Sequence, residues 1–165
     1  MLDFLAGRLA VLLKESGHRY DVVDSVLAEQ ATNPAGALRG VRQLQAWVGQ
    51  DDWKTILPAF ARCVRITRDQ KTTYKVDRKA FVEEEEQVLF RELQKAESAV
   101  RASRPSTPDR FLSAFVPMIP AVNAYFDKVL VMAKKKVLRE NRLGLLQRIS
   151  ALSAGVADLS KLEGF

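Results

Sequence analysis

The chain has one cysteine, Cys63, and one histidine, His18, among 165 residues. A lone Cys excludes an internal disulfide framework, and with it the usual signature of a secreted scaffold. So few soft ligands leave no set from which a zinc site is built. No apolar run approaches the roughly 20 residues of a membrane span. The opening MLDFLAGRLAVLL has the apolar character of a signal segment, but Asp3 and Arg8 interrupt it and no basic leader precedes it. A reduced, cytoplasmic setting is therefore expected. The chain also opens directly on a helical pattern, as a piece of a longer polypeptide would.

Motifs for chemistry are missing too. There is no G-x-x-x-x-G-K-[ST] loop and no G-x-G-x-x-G after a strand. No Ser or Cys occupies a nucleophile turn. His18 has no partner histidines, and Cys63 falls on the apolar side of its helix, where core packing explains it. The carboxylate pairs Asp21/Asp24, Asp51/Asp52 and Glu83 to Glu86 are accounted for by helix caps and solvated first turns. No catalytic residue, metal site or cofactor site is expected in this chain.

What remains is helix. No segment alternates with a period of two over strand length, so the expected class is all-α. Leu2, Leu5, Leu9, Leu12 and Leu13 form a first stripe that Ser16-Gly17 should end. Asp21 is placed to cap a short helix burying Val22, Val23, Val26 and Leu27. Asn33-Pro34 restarts the chain, with Ala37, Val41, Leu44 and Val48 inward. Asp51 or Asp52 opens the next helix, through Trp53, Ile56, Leu57, Phe60 and Val64, where Pro58 should force a kink or a break. Gln70 to Val76 reads as an exposed loop. Asp77 restarts a helix through Leu89, Leu93, Ala96 and Val100, with its beginning broken if Glu85 falls on the core side. Thr107-Pro108 is a further cap and first-turn proline, ahead of Phe111, Leu112, Phe115 and Val116. Length fits a single all-helical domain, 1–165, in which helices of 1–50 pack on a bundle of 51–165.

Two apolar stripes meet in Ile119 to Leu152: Val122, Tyr125, Phe126, Val129 and Met132, then Leu138, Leu145, Ile149, Leu152 and Val156. Between them stand Lys134-Lys135-Lys136, the elbow of an expected helical hairpin. Arg142 borders the second stripe, where Asp127 is a candidate ion-pair partner locking the two helices.

The chain carries 26 Lys+Arg against 20 Asp+Glu, a formal +6. Two basic clusters stand out. Arg62, Arg65, Arg68 and Lys71 trail along one helix surface, and Lys134-Lys135-Lys136 stand with Arg139 and Arg142, of which Lys135, Arg139 and Arg142 share one strip of helix surface. Rows of this kind suit a phosphate backbone, whose contacts supply salt-dependent affinity without sequence information. Tyr74 in its polar loop is a candidate to stack on an unpaired base. The competing reading is a helical docking domain, since the first fifty residues carry abundant apolar stripe and little positive excess.

Residue strings go further than periodicity. Val122-Asn123-Ala124-Tyr125-Phe126-Asp127-Lys128-Val129-Leu130-Val131-Met132, Leu138-Arg139-Glu140-Asn141-Arg142-Leu143 and Val156-Ala157-Asp158 closely resemble the C-terminal end of the bacterial-type glycyl-tRNA synthetase beta subunit. Arg19 to Leu27, RYDVVDSVL, resembles an earlier segment of the same family. Lys134 to Lys136 depart from it, because the family is commonly acidic there. The resemblance implies an all-helical anticodon-binding domain of the arginyl-tRNA synthetase (DALR) type. It also implies tRNA-Gly as partner and an alpha2beta2 assembly in which the alpha subunit uses ATP and Mg to attach glycine. The tRNA-binding residues expected are Arg62, Arg65, Arg68, Lys71, Tyr74, Lys135 and Arg139, with Asp127 and Arg142 structural.

Overall fold

The computed structural model of the chain describes residues 2–165. Among them are eight α-helices and no strand, so the all-α expectation holds. They are α1 (Leu2–Glu15), α2 (Tyr20–Gln30), α3 (Pro34–Val48), α4 (Trp53–Thr67), α5 (Glu84–Arg101), α6 (Pro108–Phe115), α7 (Ile119–Lys128) and α8 (Lys136–Ser150). Short 3-10 turns at Arg78–Ala80, Val116–Met118, Ala151–Ser153 and Leu159–Lys161 join or follow them.

Local chemistry sets most of the boundaries. Gly17, at φ +88°, turns the chain after α1. Asn33 accepts a hydrogen bond from the Gly36 amide at 3.1 Å, with Pro34 in the first helical position of α3. Thr107 and Pro108 repeat the device for α6, the hydroxyl accepting from the Arg110 amide at 3.3 Å. The core runs through α4, α5, α6, α7 and α8. Phe60 meets Phe111 and Phe115 edge-on with ring centroids 5.2 and 5.3 Å apart. Tyr125, Leu143, Leu145 and Ile149 are buried beside them.

Five expectations need correction. Pro58 does not divide α4, which runs unbroken from Trp53 to Thr67; the ring lies on the exposed side, where water can reach the carbonyl it leaves unpaired. Asp21 is not a cap. It lies inside α2, buried, and accepts from Arg19 and from the Glu163 amide at 3.0 Å. The helix restart at Asp77 is only a 3-10 turn, and α5 begins at Glu84 with Glu86, rather than Glu85, as the buried member of the acidic run. The helix of the first hairpin stripe stops at Lys128. Residues 129–135 are irregular, which leaves Met132 exposed. Finally, the leucine stripe of α1 is mostly uncovered: α1 packs chiefly on α2, burying Leu13 while Leu5 and Leu12 remain 56 and 59% exposed. Met1 and the Leu2 side chain lie outside the described residues.

After α8 the chain returns to α2. The Asp158 amide donates to the Ser25 carbonyl at 2.8 Å, and the Ser25 hydroxyl donates to the Asp158 carbonyl at 2.8 Å. Gln30 donates to the Val156 carbonyl at 2.9 Å. Val156 and Ala157 are buried there. The two distant strings RYDVVDSVL and VAD are therefore two sides of one contact.

Candidate nucleic-acid interface

Arg62, Arg65, Arg68 and Lys71 are all exposed on and just beyond the C-terminal half of α4. Their spacing of three residues turns the row gradually around the helix. Two of the guanidiniums are seated on aromatic rings. Arg62 lies 4.3 Å from the Phe126 ring centroid on α7, and Arg65 lies 5.4 Å from that of Phe165 near the chain's last turn. An arginine held over a ring face keeps its charge and donors available while losing little further freedom on binding. None of the four has a carboxylate partner among the described residues.

Tyr74 is differently placed from a free stacking platform. It is half-buried, its amide donates to Gln147 at 2.9 Å, and its hydroxyl donates to Gln70 at 3.2 Å. Gln147 also donates to the Thr72 carbonyl at 2.8 Å, so α8 grips the loop at two points. The loop comes so close that a Cβ on Gly144 would sit 2.8 Å from the Tyr74 carbonyl oxygen. Tyr74, Lys75, Asp77 and Ala80 thereby share a cleft with Val137, Glu140 and Asn141 of α8.

The LRENRL string does structural work at each polar position. Arg139 donates to the carbonyls of Ala133 and Lys134 at 3.1 and 3.3 Å, bracing the loop that precedes α8. Asn141, buried, exchanges two hydrogen bonds with the Asp77 backbone at 2.7 and 3.1 Å. Arg142, buried, donates to the Leu130 carbonyl at 2.9 Å and pairs with Glu86 at 3.0 Å. Its partner is thus Glu86 and not Asp127, which is exposed and makes no ion pair among the described residues. Glu86 won because it comes from the inner face of α5, whereas Asp127 points off the last turn of α7. Its carboxyl also accepts from the Val82 and Glu83 amides at 2.9 and 2.8 Å. Burial alone would raise the Glu86 carboxyl, but Arg142 and those two amides outweigh it and hold it below the usual carboxylate range.

Lys135 is exposed and makes no ion pair among the described residues, while Lys136 lies 3.7 Å from Glu140. Beside these expected residues, three cations were not singled out by periodicity: Arg78, Lys79 and Arg91. Their signal was weak, since no two of them fall in one helical row.

The DALR anticodon binding domain family matches residues 56–158. The chain belongs to that family. The match takes in α4 to α8 almost entire and leaves α1, α2 and α3 outside. Charge divides the same way: the matched segment of this DALR domain holds 19 basic against 12 acidic residues, and the flanks hold 7 against 8. The chain is 36% identical to the glycine–tRNA ligase beta subunit of Myxococcus xanthus, over 99% of this chain and 24% of that protein. It is 34% identical to the corresponding subunits of Moorella thermoacetica, over 98% of this chain and 24% of that protein, and of Geotalea daltonii, over 98 and 23%. It thus spans about a quarter of the length of these relatives. No helix among the described residues is long and apolar enough to cross a membrane.

Proposed function

We propose that this DALR domain is the tRNA-gripping end of a glycine–tRNA ligase beta subunit, and that it holds the anticodon stem and loop of tRNA-Gly. The observation that carries the reading is the row Arg62, Arg65, Arg68 and Lys71. It is exposed, without an ion-pair partner among the described residues and partly seated on aromatic rings, in a segment where basic residues exceed acidic ones by seven. Lys135 adds a further phosphate donor. Arg139 contributes through the loop it braces, and Tyr74 through its exposed part. The domain performs no chemistry and takes no cofactor. Glycine attachment with ATP and Mg belongs to the alpha subunit of an alpha2beta2 assembly in the cytoplasm. In the same reading 1–50 form a packing unit on the 51–165 bundle.

The test is a gel-shift titration of the chain with tRNA-Gly transcript and with an anticodon-swapped transcript, each at two salt concentrations. Four phosphate contacts would give a log-log salt slope of roughly −3 on a single strand. Tighter binding of the native transcript is expected. Absence of binding at low salt would exclude the RNA reading. Equal affinity for both transcripts would leave a phosphate grip without anticodon readout.

A second reading has its own observation. Phe4, Leu5, Val11 and Leu12 of α1 are each more than half exposed. A row of large apolar residues of this kind suits docking against another polypeptide surface. Docking by α1 and RNA contact by α4 use different faces and are compatible.

A further inference from the structure

The cleft between the Arg78–Ala80 turn and the middle of α5 takes part in none of the contacts above. It encloses about 280 Å³ and is lined by Arg78, Lys79, Phe81, Gln87, Phe90 and Arg91. Three of the six are cations and none is a carboxylate. Glu83 and Glu84 open the same helix but do not line the cleft. Arg78, Lys79 and Arg91 have no carboxylate partner among the described residues. A concavity lined by one sign of charge focuses its field and draws in an anion.

The apolar half of the lining is built rather than incidental. Phe90 is buried as the floor, with Phe81 packed edge-on against it at 5.5 Å between centroids. Arg148 lies 5.3 Å from the Phe90 centroid and is itself tied to Glu97 by bonds of 2.9 and 2.6 Å, which fixes that side of the ring. Arg78 lies 5.4 Å from the same ring, and its side chain makes no hydrogen bond or ion pair among the described residues. It can therefore offer its plane to a ligand. Gln87 adds one amide that both donates and accepts.

We infer that this cleft takes one unstacked nucleotide of a bound RNA. The base would lie against Phe81 and the Arg78 plane, with Gln87 at its edge and the phosphate between Lys79 and Arg91. Aromatic and guanidinium planes stack on any base, and the surrounding cations suit its phosphate. The volume, about 280 Å³ and just under the roughly 300 Å³ at which small-molecule pockets begin, suits a group the size of one nucleotide. The inference rests on the proposed RNA-binding role and adds a site to it, separate from the α4 row.

The test uses Arg78→Gln and Arg91→Gln, both at exposed positions, with folding of each variant checked by thermal melting. Affinity for the tRNA-Gly transcript should fall by roughly tenfold in the double variant, the size of one lost stacked base. A transcript carrying 4-thiouridine should crosslink to the peptide containing residues 78–91 in the wild-type chain, and not in the double variant. Unchanged affinity together with no crosslink, in a chain that still binds the transcript, would overturn the site while sparing the RNA reading. No transcript binding by the wild-type chain would remove both. Uridine monophosphate is the control for a soluble ligand. If it bound this cleft more tightly than the transcript, the RNA source would be overturned in favour of a free nucleotide.

Discussion

Glu86 and Arg142, 56 residues apart in the chain, meet in the interior with Nε 3.0 Å from Oε1. The guanidinium continues to the Leu130 carbonyl, and the carboxylate to the Val82 and Glu83 amides. One ion pair therefore joins α5 and α8 to the irregular stretch between α7 and α8. Both carboxylate oxygens of Glu86 and all three guanidinium nitrogens of Arg142 have a partner, which is the condition under which such a pair is tolerated.

Removing one member should cost more than the pair contributes. Glu86→Ala leaves a buried, unpaired guanidinium and is expected to destabilise the chain by about 3–5 kcal/mol. Asp127→Ala is expected to change stability by no more than about 0.5 kcal/mol, as for an exposed, unpaired side chain. Urea unfolding of the two variants side by side checks both. A larger loss in the Asp127 variant would restore the Asp127–Arg142 pairing expected from the sequence.

The same geometry sets an acid limit. The folded-state carboxyls of Glu86 and Asp21 are both held below their ordinary values. Burial opposes this in each case and is outweighed, for Asp21 by Arg19 and the Glu163 and Val22 amides. A depressed carboxylate contributes stability that is fully present above its unfolded value, near pH 4. That stability is lost as pH falls through the lower folded value. Melting temperature should therefore drop below about pH 4, and the drop should be shallower in Glu86→Gln and Asp21→Asn than in the wild-type chain.

Gly144→Ala tests the docking of the Tyr74 loop. The added Cβ would stand 2.8 Å from a backbone oxygen, so the loop must shift and the Gln147 bonds to it must stretch. A loss of about 1–3 kcal/mol is expected. Hydrogen exchange should show the Tyr74 amide losing protection first. Uniform loss across the chain would contradict a local effect.

Cys63 should report unfolding rather than surface chemistry. Burial pushes its thiol up to about 12, with Arg62 opposing only in part. The reactive thiolate is scarce at neutral pH and inaccessible besides. Labelling by an aromatic disulfide reagent should track urea unfolding, and fast labelling of the folded chain would refute this.

Arg68→Ala should weaken binding of native and anticodon-swapped transcripts by the same factor. It should also flatten the salt slope by roughly 0.7, as for one lost contact on a single strand. A selective loss for the native transcript would move Arg68 from phosphate grip to base readout.

Much of this fold could be read from one sequence because its signals are local. Asn33-Pro34, Thr107-Pro108 and Gly17 act through a single turn of backbone, and each ends or begins a helix where expected. The stripes of α3, α4 and α5 are buried on the faces their spacing assigns. Exposure of Arg62 and Arg65 was legible for the same reason, since they lie off the apolar stripe of α4, and Arg68 and Lys71 follow where the helix ends. The α1 stripe shows the limit of that logic: spacing marks an apolar face but not whether a neighbour covers it, and among the described residues of the stripe only Leu13 is buried.

What the sequence determined by itself, then, was the helical class, the turns that punctuate it and the family, all carried by spacing of a few residues or by contiguous strings. Tertiary structure alone decided which carboxylate reached Arg142, that the RYDVVDSVL and VAD strings close on each other, and that Arg78 and Arg91 share a cleft. Those outcomes depend on how distant helices cross, and no periodicity of 3.6 residues encodes a crossing. The Lys134 to Lys136 elbow is the clearest case. Its sequence marks a break between two helices, but the break starts earlier, at 129, and ends where Lys136 opens α8; its irregular path is shaped by Arg139 and Arg142 drawing three carbonyls of 129–135 toward α8.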